Sequence, residues 1–443
     1  MVNFYKATPK TQKLGQQCTL KVTRLDFNGS GVASHQQKSL FVDGALPNET
    51  VIVKITEQKS KYYRGKLIEV KSASDNRVPA PCQHFLTCGG CDLQHLDFHE
   101  QRAFKQQKVA ELFARHSIVE NNEENNLPWQ PAIFDEPLHY RRKARIGVQY
   151  NKKGQATIGF RQRSSNQLVA VKQCPVLIKP LDNLFQPLNV LLAKLSGKNP
   201  IGHIEVVVTN VTTLIVRQLV ALSAQDKTFW LEFSQQQHCQ IMIDNGKAIS
   251  PVTSCEPLYY LIDEKIKLQF SADDFIQVNP AINAKMVARA IDWLALTEDD
   301  KVLDLFCGLG NFSLPIATRV ESVVGVEGVD NMVVKARANA IDNNIHNCRF
   351  YQADLNSDWH AHEWATESYT KVLLDPARAG AYQAIEQLVK VNINQLLYVS
   401  CDPTTLAKDS ALLLRHGYKI EKISLIDMFS QTKHIETMVL FVR

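Results

Sequence analysis

The chain has 443 residues, of which 45% are hydrophobic and 21% charged, a balance that supports buried cores in two to four domains of ordinary size. Apolar runs such as Ile204 to Val208 are far too short to cross a bilayer, and the opening MVNFYKATPK has neither an apolar stretch nor a small-residue cleavage site. These features exclude a membrane span and predict a cytoplasmic protein, in which the ten cysteines stay reduced and serve as metal ligands or catalysts, and in which the Asn48-Glu49-Thr50 sequon has no meaning.

The net charge of +5 is unevenly spread. Residues 1–75 carry 12 Lys or Arg against 6 Asp or Glu. A second stretch, His139 to Cys174, has no acid and contains Arg141, Arg142, Lys143, Arg145, Lys152, Lys153, Arg161, Arg163 and Lys172. One such stretch is an ordinary solvated face; two point to a polyanion, held by phosphate neutralisation and counterion release.

Residues 12–70 read as β-structure. The runs CTLKVTRL, SLFVDGAL, ETVIVKITEQ and YYRGKLIEV are short and rich in Val, Ile, Leu and Tyr, with turn chemistry at Asn28-Gly29-Ser30-Gly31 and Pro47-Asn48. About five strands in this length fit an OB-like barrel, a fold that binds single-stranded nucleic acid. The pattern resembles a TRAM domain, carried by Leu25 to Val32 and the later Phe41-Val42.

Residues 75–270 form a mixed α+β segment. It opens with the linker Arg77-Val78-Pro79-Ala80-Pro81 and a cysteine cluster, followed by a helix over about 98–117 with the apolar stripe Phe104, Val109, Leu112 and Phe113. That helix is placed to pack on the C-terminal domain.

Residues 271–443 alternate strand-like runs with helical stretches, which predicts a parallel sheet with crossover helices. The runs are Lys301 to Phe306, Ser322 to Glu327, Cys348 to Gln352, Lys371 to Leu374 and Gln395 to Ser400. Lys422 to Phe429 and His434 to Val442 are expected to add an antiparallel edge pair. The fold class is therefore multidomain: an N-terminal OB-like barrel, a central α+β domain and a C-terminal Rossmann-like domain.

Asp304-Leu305-Phe306-Cys307-Gly308-Leu309-Gly310-Asn311 sits where a strand gives way to a helix, and its glycines let the backbone approach a ligand. It lacks the full dinucleotide fingerprint, which disfavours NAD. Glu327 ends the next strand, where an acid can accept from two ribose hydroxyls, and Asp354 follows the third, placed to read an adenine amino group. Together they point to S-adenosylmethionine.

Two motifs occupy the next strand ends: Asp375-Pro376-Ala377-Arg378-Ala379-Gly380 and Ser400-Cys401-Asp402-Pro403. The first lacks the second proline and the aromatic that methylation of an exocyclic nitrogen uses. The second sets a cysteine beside the methyl donor. Carbon 5 of uracil is too weak a nucleophile to accept a methyl group unaided. A thiolate adding to carbon 6 makes it reactive, and a base must then remove the carbon 5 proton so that the thiolate can leave. Cys401 suits the first role and Glu436, at the start of the last strand, the second; the bland alternatives are a buried core cysteine and a surface charge. Attack perpendicular to the ring requires the uracil to be flipped out.

Cys82, Cys88 and Cys91, with Cys174 far downstream, offer four thiolates. They suit tetrahedral zinc or an iron–sulfur cluster; a clump of three plus one distant cysteine favours the cluster and leaves zinc open.

With these residues assembled, the chain resembles the RNA uracil-5-methyltransferase family, and within it the RumA/RlmD type that acts on bacterial 23S ribosomal RNA. The likeness rests on the TRAM-like start, CQHFLTCGGCDLQH, DDFIQVN, DLFCGLGNFSLP, LLDPARAG, VSCDPTTLAKD and HIETMVLF. It implies a [4Fe–4S] cluster on Cys82, Cys88, Cys91 and Cys174, and S-adenosylmethionine contacts at Gln277, Phe306, Asn311, Glu327, Asp354 and Asp375. It further implies Cys401 as nucleophile, Glu436 as base, uridine 1939 of 23S rRNA as target, and a monomer with no obligate protein partner. Asp402 stands where the family has Asn, and its charge is expected to oppose a thiolate at Cys401. Rival readings are the same chemistry on tRNA or another 23S uracil, DNA cytosine-5 methylation, which prefers a Pro-Cys nucleophile, and an inactive iron–sulfur RNA-binding protein.

Overall fold

The computed structural model describes residues 14–116, 118, 127–359, 361–391 and 393–443. The reading of the first ten residues, residues 12 and 13 of the barrel, and residue 117 of the predicted helix lie outside these. The chain divides into two compact units. One runs to Leu86 and takes in Cys91–Phe104 and Gln431–Lys433; the other comprises Thr87–Gly90, Lys105–Ser430 and His434–Arg443.

The first unit bears out the expected barrel. Strands β1 (Gln17–Leu25), β2 (Gly31–His35), β3 (Lys38–Asp43), β4 (Thr50–Gln58) and β5 (Tyr62–Ser72) close in the order β1-β2-β3-β5-β4. Alternation places Val22, Leu40, Val42, Val51, Val53, Ile55 and Tyr63 in one core. The turn before β2 is built by Asp26, whose Oδ1 accepts from the Asn28 and Ser30 amides at 2.8 and 2.7 Å, while Gly29 takes a φ of +79°. Gly65 lets β5 lie close on β4, since a Cβ there would fall 2.2 Å from Val53 Cγ1. The segment read as a linker is anchored: Arg77 donates to the fully buried Glu49 at 2.5 Å and to the Gly44 carbonyl at 2.6 Å.

Helix α1 (Phe98–Arg115) enters the second unit at Lys105, where Val109, Ala110, Leu112 and Phe113 are buried against the C-terminal sheet. The central sheet contains β6 (Lys143–Tyr150), β7 (Ala156–Arg161) and β8 (Leu168–Ala170). After helices α2 (Lys179–Asp182) and α3 (Phe185–Leu192) come β9 (Ile201–Val208), β10 (Thr212–Gln218), helix α4 (Ala224–Gln237), β11 (Cys239–Asp244) and β12 (Ile249–Pro251). Its order is β12-β11-β10-β9-β6-β7-β8, antiparallel apart from β10 with β11. A hairpin of β13 (Leu258–Ile262) and β14 (Ile266–Phe270) leads to helix α5 (Pro280–Leu294), started by Asn279, whose side chain accepts from the Ile282 amide.

The C-terminal sheet has the expected parallel core flanked by crossover helices. Its parallel strands are β15 (Lys301–Leu305), β16 (Ser322–Glu327), β17 (Cys348–Gln352), β18 (Lys371–Leu374) and β19 (Gln395–Ser400), with helices α6 (Ser313–Ala317), α7 (Asp330–Asp342), α8 (Tyr382–Leu388) and α9 (Pro403–Arg415) in the crossovers. Apart from the edge strand β17, they read as mostly apolar runs because both faces of the sheet are covered. The last strands, β20 (Lys419–Ile426) and β21 (Glu436–Val442), pair antiparallel, but only β20 is an edge. The order β17-β16-β15-β18-β19-β21-β20 inserts β21 beside β19, which brings the chain's last strand into the interior. Among the described residues, no helix is long and apolar enough to cross a membrane.

Candidate active site

The carboxyl ends of β15, β16, β18 and β19 open on one edge of the sheet, where an open α/β sheet leaves its crevice. Phe306 follows β15 with a φ of +65°, a left-handed conformation costly for a side chain of this size, and donates its amide to the Val326 carbonyl at 2.8 Å. Gly308 (φ +54°) and Gly310 (φ +91°) continue the turn. A Cβ on Gly308 would meet nothing closer than Met332 Cε at 3.9 Å, so the loop leaves room on that side. Glu327, at the end of β16, secures the loop by accepting from the Gly308 amide at 3.2 Å and the Val329 amide at 3.0 Å. Asp354, past β17, is exposed and accepts from the Asn356 amide at 3.0 Å.

Two other predicted contacts belong to a network that the linear sequence did not reveal. Asn311 exchanges hydrogen bonds with Asn283 at 3.0 Å in both directions and accepts from the Tyr260 hydroxyl at 3.1 Å, so its side chain is committed to internal partners. Arg142 is 5% exposed; its guanidinium carbon lies 4.6 Å from the Tyr260 ring centroid, and its Nε donates to the Gln277 carbonyl at 2.9 Å. Burial holds the Arg142 pKa down, to about 10. The Gln277 side-chain oxygen is buried without a hydrogen-bond partner. An orphaned acceptor, a glycine with open space beside it and a carboxylate at the neighbouring strand end fit a ribose- and amine-bearing cofactor.

The residues predicted for catalysis lie at β18, β19 and β21. Ser400 pairs with Thr437 in the antiparallel ladder, so Cys401 and Glu436 are the next positions beyond it. Cys401 is half-buried, not sealed in the core. Burial raises its thiol to about 11; the charges of Glu436 and Asp375 add to the rise and Arg378 opposes it. Glu436 is 6% exposed, and its Oε2 has no hydrogen-bond partner. Burial first, then the charge of Asp375, raise its pKa to about 8, with Asp427 adding to the rise and Lys105 opposing it. Asp375 itself is raised to about 7 by desolvation. Buried Asp304, bonded to Ser313 Oγ at 2.5 Å, is likewise raised to about 7. At neutral pH the Cys401 thiol is therefore un-ionised and Glu436 mostly protonated, while Asp375, with a pKa of about 7, is poised between its two forms.

Asp402 has a different employment from the one expected. It caps α9, with Oδ1 accepting from the Thr404 and Thr405 amides at 2.8 and 3.3 Å. The main influences on Cys401 are burial, Glu436 and Asp375.

The four-thiolate centre is not shown. Among the described residues, no group of three or more His, Cys, Asp or Glu side chains is arranged to hold a metal ion. In the first unit, the Cys82 amide donates to Gln94 Oε1 at 3.1 Å. In the second, Cys88 and Cys174 pack against the core of the central sheet, and the Gly90 amide donates to Cys88 Sγ at 3.4 Å.

A family model described as tRNA (uracil-5-)-methyltransferase matches residues 107–443, and a TRAM domain model matches residues 11–68. The chain belongs to the tRNA (uracil-5-)-methyltransferase family. Relatives in this family include the 23S rRNA (uracil(1939)-C(5))-methyltransferase RlmD of Colwellia psychrerythraea, 50% identical over 100% of this chain and 99% of that protein. The protein of the same name from Shewanella sediminis is 44% identical with the same coverage. Among solved structures, the tRNA (uracil-54, C5)-methyltransferase of Pyrococcus abyssi, in complex with S-adenosyl-L-homocysteine, superposes with a TM-score of 0.74 at 20% identity. It covers 96% of this chain and 100% of its own, which shows that the two chains share a fold.

The basic stretch also separates into two kinds of residue. Arg142 is buried, Lys143 donates to the Ala272 and Asp274 carbonyls at 3.2 and 2.7 Å, and Arg145 pairs with Glu205. Lys152, Lys153, Arg161 and Lys172 are exposed. Arg142 and Lys143 brace the DDFIQVN segment and Arg145 is tied to Glu205 of β9, while the exposed set remains open to a polyanion.

Proposed function

We propose that this family member methylates carbon 5 of a uracil in 23S ribosomal RNA, at the position corresponding to uracil 1939 named in its relatives, through a transient bond between Cys401 and carbon 6. Full-length similarity to proteins of that specificity supports the RNA and the position. The observation that carries the mechanism is the ladder register that sets half-buried Cys401 next to buried Glu436.

S-adenosylmethionine, when bound, supplies an electrophilic methyl group. Gln277, Phe306, Glu327, Asp354 and Asp375 would hold it, and Asn311 would shape the turn through Tyr260 and Asn283. The flipped uracil enters beside Cys401. The thiol gives up its proton to the ionised form of neighbouring Asp375, and the sulfur adds to carbon 6, which moves electron density onto carbon 5. Once carbon 5 carries the methyl group, ionised Glu436 takes its proton and the carbon–sulfur bond breaks by elimination. A carboxyl with a pKa near 8 is a strong enough base for that step and ionises within reach of neutral pH. The protein would act as a monomer in the cytoplasm, where ribosomal RNA is modified, with the barrel and the exposed lysines gripping the strand.

Replacing Cys401 with Ala tests this reading. The variant should bind RNA and cofactor but form neither 5-methyluridine nor a denaturant-stable protein–RNA adduct. Normal methylation by Cys401→Ala would refute it.

We further infer an iron–sulfur cluster on Cys82, Cys88, Cys91 and Cys174, supported by the cysteine spacing. Methyl transfer needs no electron, so no catalytic step is assigned to it. Iron and acid-labile sulfide in anaerobically purified protein, at roughly four of each per chain, are the expected result; zinc alone would replace this reading with the tetrahedral alternative.

A further inference from the structure

Lys105 and Asp427 form an ion pair with both side chains at 0% exposure, Nζ to Oδ1 at 2.6 Å. A pair this deep loses the hydration of two charges, and apolar side chains of similar volume would serve stability as well or better. Its surroundings give it a different use. Lys105 also donates to the Phe429 carbonyl at 3.1 Å, and Ser430 Oγ donates to Asp427 Oδ2 at 2.9 Å, so ammonium and carboxylate are both fixed. Asp427 immediately follows Ile426, which is the ladder partner of Glu436.

We propose that Lys105 is a positioning residue for the reaction: its buried ammonium, locked by Asp427 and the Phe429 carbonyl, makes the proton of Glu436 removable while leaving the Glu436 carboxyl unbonded. This rests on Glu436 being the proton acceptor. A direct salt bridge would stabilise the carboxylate but would occupy an oxygen that has to receive the carbon 5 proton. A cation anchored on a neighbouring carboxylate acts through space instead. Glu436 Oε2 is buried with no hydrogen-bond partner, as this arrangement requires.

The groups that face Glu436 are Asp375 from the end of β18, Cys401 from the end of β19, Asp427 from the end of β20 and Lys105 from α1. Asp375 and Asp427 favour the protonated carboxyl, while Lys105 favours the ionised one and outweighs Asp427.

The test is the pH dependence of adduct breakdown in single turnover, read beside infrared titration of the Glu436 carboxyl against a Glu436→Gln reference. In Lys105→Gln, which keeps a hydrogen-bond donor without the charge, both midpoints should move to higher pH by about one unit. Lys105→Arg should restore them. The double variant Lys105→Met/Asp427→Asn, which leaves no unpaired buried charge, should also move them upward, and it stands in if the single variant fails to fold. Midpoints that stay at the wild-type pH while rates fall by a pH-independent factor would overturn the proposal and leave Lys105 a packing role. If Glu436→Gln turns over normally, the assignment of Glu436 as base fails instead, and the infrared midpoint still decides whether Lys105 controls this carboxyl.

Discussion

Cys401 and Glu436 lie directly beyond the paired residues Ser400 and Thr437, one on each of two antiparallel strands. An acid next to a nucleophilic thiol is a poor arrangement if both ionise together, because each charge raises the other's pKa. The proposed mechanism makes it workable by using the two in sequence, the thiolate during addition and the carboxylate during elimination.

The folded protein holds the Glu436 proton, and stability should depend on pH accordingly. The Glu436 pKa is raised from 4.5 to about 8, so the folded chain binds a proton that the unfolded chain releases between these values. The associated stability is fully present below about pH 4.5 and is lost as pH rises through about 8. Glu436→Gln cannot ionise. Its melting temperature should exceed that of the wild type by a margin that grows from pH 5 to pH 8, where it corresponds to about 2–4 kcal/mol. Thermal scans across this range check it; a margin independent of pH would mean that Glu436 is ionised in the folded protein.

Arg142 connects the basic stretch to Gln277, one of the proposed cofactor contacts, by stacking on Tyr260 and bonding the Gln277 carbonyl. Arg142→Met should cost about 2–3 kcal/mol through the lost hydrogen bond and stacking. It should also weaken S-adenosylhomocysteine binding in calorimetry by roughly tenfold, since the segment carrying Gln277 loses its brace. Unchanged affinity would separate Arg142 from the cofactor site.

The exposed cations give a different signature. Replacing Lys152, Lys153, Arg161 and Lys172 with Gln should leave the melting temperature within error, because none is buried. The salt dependence of RNA binding should flatten, by about 0.7 in log–log slope for each single-strand phosphate that the protein no longer neutralises. An unaltered slope would exclude this face from the RNA path.

Asp402 tests the difference between charge and cap. Asn caps a helix about as well as Asp, so Asp402→Asn should change stability by no more than a few tenths of a kcal/mol, whereas Asp402→Ala should cost about 1 kcal/mol by freeing the Thr404 and Thr405 amides. Equal melting temperatures for the two variants would contradict the capping role.

Much of the fold was legible because it is written in local chemistry. Gly29 and Asp26 build their turn from neighbours in sequence, and strands buried on both faces announce themselves as apolar runs. The Asp-Pro pair at 402 and 403 marks the start of α9 in the same way, although the sequence alone suggested a pKa role for the acid. The position of β21 was not legible. Pairing two final strands is a local inference, but which of them lies beside β19 depends on the whole sheet.

Lys105 shows the limit most clearly. It falls four residues before Val109 and seven before Leu112, on the apolar stripe of α1, yet a lysine there reads as a solvated charge at the stripe's margin. Its partner Asp427 is 322 positions away. Residue type and spacing determined which chemistry each strand end can carry, because backbone turns, caps and periodicity arise within a few residues. The tertiary structure alone decided which of those groups keep their protons, because desolvation and charge–charge interaction depend on neighbours that only the folded chain brings together.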